Sequence, residues 1–298
     1  MEIIMKKTGY IAIVGRPNVG KSTLLNSILG EKVAIVSNKP QTTRNRIIGI
    51  HTYGESQFVF LDTPGMHTPQ NRLGDYMINA ANTTMHDADA VVLVVEAGKP
   101  VTKVEENVIA YLKQSGVPSV LAINKVDLVD APEIAETIMA YNEKHDFDAV
   151  VPICAKKGNK VNELLDECEK FLAEEDWLFP EDMITDQPER QIAAEIIREK
   201  LLRTLNKEVP HGIAVVIEEF KEERGLVSIR AEIFCEKASH KGIIVGKHGA
   251  GLKLVGTYAR EDLEKLFGTK VYLNLWVKVK ENWRDSVGNV KNFGYFDE

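Results

Sequence analysis

The strongest constraint on what this chain can fold into is Gly15-Arg16-Pro17-Asn18-Val19-Gly20-Lys21-Ser22. It fits the spacing G-x-x-x-x-G-K-[ST], directly after the apolar run Tyr10–Val14 and ahead of a helical pattern. Strand, glycine loop and helix in that order produce a ring of backbone N–H groups and a helix N-terminus aimed at one point. Such a point attracts phosphate, and the glycines permit backbone conformations that a Cβ would forbid. Lys21 would bridge the terminal phosphates of a nucleotide, and the Ser22 hydroxyl would ligate Mg²⁺.

A phosphate loop of this kind needs a sheet to present it. From Tyr10 to about Glu174 short apolar runs alternate with amphipathic stretches. The runs are Tyr10–Val14, Phe58–Leu61, Val91–Val95, Ser119–Ile123 and Ala149–Ile153, and the helical stretches include Val104–Lys113 and Val161–Leu172. Near-continuous apolar strands separated by helices predict a mostly parallel sheet covered on both faces. Ile47–Leu61 breaks the rule with two strand-like runs joined at Tyr53-Gly54-Glu55, which predicts a hairpin and one antiparallel edge strand.

Three further segments each end a predicted strand. Asp62-Thr63-Pro64-Gly65 places a carboxylate to reach Mg²⁺ through water and a glycine N–H near a γ-phosphate. Asn124-Lys125-Val126-Asp127 offers a carboxylate that can accept two hydrogen bonds from guanine. Adenine has a lone pair at the matching ring position, so it would leave that carboxylate unpaired. Ile153-Cys154-Ala155-Lys156 brings a backbone N–H toward the base carbonyl. All four segments sit at carboxyl ends of strands, where open α/β sheets bind ligands.

Together these motifs resemble the translation-factor-related GTPases, and Lys39-Pro40-Gln41-Thr42-Thr43-Arg44 matches the first switch of their Era-type subgroup. The resemblance implies GTP binding by Gly15 to Thr23, Asp62 to Met66, Asn124 to Asp127 and Cys154 to Lys156. It implies Mg²⁺ held by Ser22, Asp62 and a switch threonine, with Thr43 ahead of Thr42 as the candidate. Catalysis would fall to Lys21, Thr43, Gly65 and Asn18. Asn18 resembles an asparagine that ligates K⁺ beside the β/γ-phosphates in related GTPases, and the competing role is a brace for the first switch. Met66 stands where many regulatory GTPases carry a water-orienting glutamine, so unaided hydrolysis should be slow. Cys154 replaces the usual serine, which leaves a hydroxyl contact there in doubt.

Beyond Glu174 the pattern changes. Residues 174–189 are rich in acids and hold two prolines, as an inter-domain linker would, with Glu175–Phe179 a solvated stretch bearing a local anchor. A helical stripe follows (Ile192, Ile196, Ile197, Leu201, Leu202, Leu205), then strands Ile213–Glu219 and Leu226–Glu236, two helices around a glycine turn, and a last strand with Val271, Leu273, Leu275, Val277 and Val279 on one face. The order α-β-β-α-α-β predicts an antiparallel sheet with helices on one side.

Charge singles out the glycine turn in this half. The net charge is −7, yet residues 191–298 carry 18 basic and 16 acidic side chains, and Lys237–Arg260 has five basic residues, two histidines and no acid. Within that window Gly246-Lys247-His248-Gly249 reads as the G-x-x-G turn that clamps single-stranded RNA in KH modules. Candidate RNA contacts are Lys241, Gly242, Ile243, Gly246, Lys247, His248, Gly249 and Lys253. The element order resembles the type-II KH fold, and Leu275–Asp285 resembles the Era-type signature at that strand and its exit.

The expected organisation is a P-loop GTPase domain over 8–174, a linker over 175–189, an α+β type-II KH domain over 190–285 and a tail over 286–298. By resemblance, the chain is a GTP/GDP switch that binds the 3′ region of small-subunit ribosomal RNA and acts in assembly of the small ribosomal subunit. Nucleotide would order the Lys39–Arg44 and Met66–Arg72 loops and so bias the KH domain. The resemblance also implies a cytoplasmic monomer with peripheral contact to the cytoplasmic membrane face. Trp283 and Phe293 could stack on bases or pad a small core.

Other classes fit less well. Val91–Val95 falls far short of the ~20 apolar residues of a membrane span, and the first nine residues lack the pattern of a secretory signal. Cys154, Cys168 and Cys235 are scattered, which argues against a disulfide scaffold or zinc ribbon. A P-loop kinase would need lid arginines and has no use for Asn124-Lys125-Val126-Asp127. A scaffold with a merely structural nucleotide pocket would tolerate loss of Lys21, and a related GTPase acting on transfer RNA or the large subunit conflicts with the KH half.

Overall fold

The computed structural model describes residues 5–206 and 209–295. The chain's first four residues, Lys207–Glu208 within the expected KH domain and the end of the expected tail at 296–298 lie outside the described residues. The chain divides into two compact units. One comprises Met1–Ala34, Thr43–Thr68 and Met77–Asp186, the other Ile35–Thr42, Pro69–Tyr76 and Gln187–Glu298.

The first unit is built on β1 (Lys7–Val14), α1 (Lys21–Leu29), β2 (Ile47–Tyr53), β3 (Ser56–Asp62), α2 (Arg72–His86), β4 (Ala90–Glu96), α3 (Lys103–Ser115), β5 (Ser119–Asn124), α4 (Ala131–Asn142), β6 (Ala149–Pro152) and α5 (Val161–Glu169). Its six strands run in the order β2-β3-β1-β4-β5-β6. All neighbours are parallel except β2 and β3, so the expected antiparallel edge strand is present. Strand alternation splits the core into two layers. Ile11 and Ile13 pack with Leu24, Phe58 and Val92 on one face, while Ala12 and Val14 pack with Val91, Leu93 and Leu121 on the other. A sheet buried on both faces explains why its strands read as continuous apolar runs.

From β1 the chain crosses to β2 and β3 on one side, and β4 to β6 extend the sheet on the other. The carboxyl end of β1 is therefore a topological switch point, and the glycine loop sits there.

The stretch read as a linker is laid on this unit for most of its length. Ile50 N–H donates to Ile184 O (2.9 Å), Thr185 Oγ1 to Ile48 O (2.7 Å), and Phe179 N–H to Gln57 Oε1 (3.0 Å). Trp177 anchors Glu175–Phe179 through a bond from Nε1 to Glu55 O (3.0 Å).

The second unit contains α6 (Glu189–Thr204), β7 (Ala214–Glu223), β8 (Leu226–Cys235), α7 (Ala238–Val245), α8 (Ala250–Phe267), β9 (Lys270–Val279) and α9 (Val287–Asn292). The α-β-β-α-α-β order holds, with one correction to the sheet. Strands run β7-β8-β9, β7 against β8 antiparallel, but β9 pairs with β8 in parallel. Two helices separate β8 from β9, and a crossover of that length returns the chain in the same direction. The predicted stripe of α6 and the alternating residues of β8 form one core with Ile244, Val255, Ala259 and Leu263. Trp283 is fully buried, donates from Nε1 to Gly212 O (2.9 Å) and lies edge-on to Phe293.

Candidate functional site

The phosphate loop follows from where its glycines stand. Gly15 has φ +148°, and a Cβ there would fall 2.3 Å from Val94 O. Gly20 has φ +106°, and its Cβ would strike the Asn124 amide. Lys21, buried at the start of α1, donates from Nζ to Gly15 O and Arg16 O, both at 3.0 Å. Burial pulls its pKa down to about 8 against the opposing pull of Asp62.

Ser22, Thr43 and Asp62 converge in this unit. Ser22 Oγ donates to Asp62 Oδ2 (2.7 Å) and lies 2.8 Å from Thr43 Oγ1. Thr42 instead turns its hydroxyl to Lys39 O (2.7 Å) within the second unit. Asp62 is fully buried, and its Oδ1 has no hydrogen-bond partner. Desolvation raises the carboxyl to about 6, with Lys21, Ser22 and Thr43 opposing the shift. An orphaned buried carboxylate oxygen beside two hydroxyls suits a hard divalent cation with oxygen ligands, so these residues fit Mg²⁺. Among the described residues no cluster of three His, Cys, Asp or Glu side chains offers a competing metal site.

The segment after Asp62 presses on the phosphate loop. Thr63 is buried and bonds Ile13 O through its hydroxyl (2.9 Å). A Cβ on Gly65 would meet Pro17 Cα at 2.8 Å, so only glycine lets the two loops approach. Met66 is buried, and its N–H donates to Gly15 O (3.2 Å). Val19 is buried in the core, whereas Asn18 is exposed with φ +66°.

The segments that follow β5 and β6 meet on Asn124. Its amide donates to Val19 O (2.8 Å) and accepts from Ala155 N–H (3.0 Å), tying both to the phosphate loop. Lys125 takes φ +66° and reaches Glu96 Oε2 (2.7 Å), and Val126 N–H donates to Ile153 O (3.3 Å). Asp127 accepts from the Cys154 thiol at Oδ1 (3.1 Å) and pairs with Lys157 at Oδ2 (3.0 Å). These two partners, Cys154 first, hold its carboxyl below the usual range. The side-chain contact left in doubt at Cys154 is thus made by sulfur. Lys156 is exposed beside it.

In the second unit, α7 ends at Gly246, whose N–H donates to Gly242 O (2.9 Å). Gly246 (φ +71°), His248 (φ +49°) and Gly249 (φ +80°) form a left-handed turn into α8, and a Cβ on Gly246 would lie 2.8 Å from Gly251 N. Lys241, Gly242, Ile243, Lys247, His248 and Lys253 are all exposed around this turn, Ile243 to 55%. The predicted RNA-contact residues therefore lie on and around one turn, with cationic side chains and one exposed apolar side chain, Ile243.

A polar cluster within the second unit has no signature in the sequence. Arg198 is buried on α6, pairs with Glu195 and bonds Thr42 O, while buried Glu199 accepts Val36 N–H (3.1 Å) and Arg203 (2.8 Å). Val36 and Thr42, in the Ile35–Thr42 stretch of the second unit, are thus bonded by the helix that opens that unit.

Two family models match the chain: "50S ribosome-binding GTPase" over residues 10–125 and "KH domain" over 208–284. A curated relative, the GTPase Era of Ruminiclostridium cellulolyticum, is 49% identical over 290 residues, covering 97% of each chain. This chain belongs to the GTPase Era family. It is a GTPase with a C-terminal KH domain. Two Era crystal structures are similar to this chain, each with TM-score 0.94, 42% identity, 97% of this chain and 99% of the other. One is an Aquifex aeolicus Era variant bound to GDP·AlF4⁻, the other an Era complex with MgGDPNP and nucleotides 1506–1542 of 16S ribosomal RNA.

Proposed function

We propose that this Era-family chain hydrolyses GTP at the carboxyl edge of its first sheet and binds the 3′ region of small-subunit ribosomal RNA through the turn at Gly246–Gly249, in assembly of the small subunit. The observation that carries it is the convergence on one sheet edge of a phosphate loop, an oxygen-only cation cluster and a base-reading carboxylate. The Era complex with a 16S ribosomal RNA fragment supports the choice of RNA. The protein's domains are the GTPase domain over 8–174, the linker over 175–189, the KH domain over 190–285 and the tail from 286.

Each residue has a task in this proposal. Gly15 to Thr23 wrap the phosphates with their amides, and Lys21 exchanges its two carbonyl partners for phosphate oxygens. Asp127 discards Lys157 to take the guanine ring N–H and amino group, while Cys154 keeps it aimed. Ser22, Thr43 and Asp62 would hold Mg²⁺, which would supply positive charge against the phosphates. Gly65 N–H faces the γ-phosphate. Met66 gives the attacking water no hydrogen bond, which makes unaided turnover slow, and Asn18 would hold K⁺, which would supply positive charge beside the β/γ-phosphates. Thr43 directly follows Thr42, whose carbonyl accepts from Arg198.

Cytoplasmic residence, a monomeric state and peripheral membrane contact complete the proposal and rest on family resemblance. Among the described residues no helix is long and apolar enough to cross a membrane. Light scattering and sedimentation with anionic vesicles test these points. The central test is crosslinking of bound RNA in the presence of a GTP analogue or GDP, in wild type and with Gly246 and Gly249 replaced. Nucleotide-dependent crosslinks to the 3′ region, lost in the glycine variants, are expected. Crosslinks indifferent to nucleotide would reject coupling, preferential binding of ATP would reject the guanine site, and hydrolysis unchanged between K⁺ and Na⁺ would reject the role of Asn18.

A further inference from the structure

Glu105 on α3 is fully buried, outside the nucleotide-contacting segments, and three elements meet on its carboxylate. Arg16 of the phosphate loop sets its Nε against Oε1 as an ion pair. Thr102, the residue capping α3, donates its N–H (2.8 Å) and its hydroxyl to Oε2. Tyr141 of α4, also buried, bonds the same carboxylate through its phenol, and burial together with that negative charge pushes the phenol pKa up.

Capping alone does not account for a charge at this position. A glutamine serves the same capping box, and a fully buried carboxylate is costly unless an opposite charge answers it. Arg16 is that answer, and its place in the loop gives the pair a consequence. The Arg16 carbonyl is one of the two oxygens on which Lys21 rests, and the other, Gly15 O, also receives Met66 N–H. Fixing the Arg16 side chain therefore fixes the segment that positions Lys21 and the start of the γ-phosphate loop.

We infer that Glu105 is a positioning residue for the phosphate loop, holding it through Arg16 in its nucleotide-ready shape before any ligand arrives. The inference rests on the guanine-nucleotide reading of that loop. A loop ordered in advance costs less conformational freedom to bind, so the pair acts on affinity more than on turnover. Once nucleotide is seated, its own phosphate contacts order the loop.

The test compares wild type, Glu105→Gln, Arg16→Gln and the double variant for GDP Kd, for KM and kcat of GTP hydrolysis, and for the thermal midpoint without nucleotide. Each single variant should weaken GDP binding about tenfold, the scale of one charge-assisted contact. The double variant should be no weaker than the worse single, because both remove the same contact. KM should rise with kcat nearly unchanged. Arg16→Gln lies on a partly exposed loop, so it reports even where Glu105→Gln destabilises α3. GDP affinity within twofold of wild type in Arg16→Gln, or losses that add in the double variant, would overturn the inference and leave Glu105 a helix cap. Failure of wild type itself to bind GDP would instead reject the nucleotide site.

Discussion

A thiol at Cys154 does the work of a hydroxyl, donating to Asp127 across 3.1 Å. Cys154→Ser should therefore hold GDP as tightly as wild type, within about twofold, whereas Cys154→Ala should lose about fivefold, roughly 1 kcal/mol for one neutral-to-charged contact. Titration with a fluorescent GDP reads both, and equal affinities for alanine and serine would show that Asp127 needs no such support. The same environment quiets the sulfur. Burial, then the Asp127 carboxylate, raises the Cys154 pKa, and burial raises Cys235 and pushes Cys168 up to about 12. Alkylation proceeds through the thiolate, so at neutral pH iodoacetamide should leave all three cysteines of the folded protein unmodified, with labelling rising only as pH climbs past the ordinary thiol range. Mass spectrometry of the native protein would expose the error if Cys154 were modified at neutral pH.

Elements differ in how openly the sequence announces them. The strands of the first sheet stand out because burial on both faces writes them as unbroken apolar runs, and the phosphate loop because its glycines are fixed by local geometry. The parallel seating of β9 is invisible locally, since alternation along a strand is the same whichever way its neighbour runs. Glu105 reads as an acid in the first turn of an amphipathic helix, and Arg198, Glu199 and Lys200 read as the polar side of α6, yet all four are buried. Each has a local partner, such as Thr102 for Glu105 or Glu195 for Arg198, but the partners that accompany burial, Arg16, Val36, Thr42 and Asp262, are far along the chain, and local spacing does not show them. The turn between α7 and α8 is the opposite case, local and strained. Gly246→Ala meets both a left-handed φ and a backbone contact at 2.8 Å, so it should weaken single-stranded RNA binding at least tenfold. GDP affinity should stay at the wild-type value, and filter binding alongside nucleotide titration separates the two. A variant that kept its RNA would move the contact away from this turn.

On the scale of the whole molecule, a chain of net charge −7 approaches a polyanion, so attraction must come from a confined patch. Lys237–Arg260 supplies five basic residues. If each meets one phosphate, log affinity against log salt should fall with a slope of about −3.5 for single-stranded RNA. A much steeper slope measured between low and physiological salt would mean that cations outside this window take part. The stretch from Trp177 to Thr185 has a bearing on how the first unit is handled alone. By bonding outward-pointing groups of Ile48 and Ile50, it shields the rim of β2 that β3 leaves bare. A fragment cut at Glu174 would uncover that rim and invite strand-to-strand clumping, whereas one carried through to Asp186 keeps its own cover.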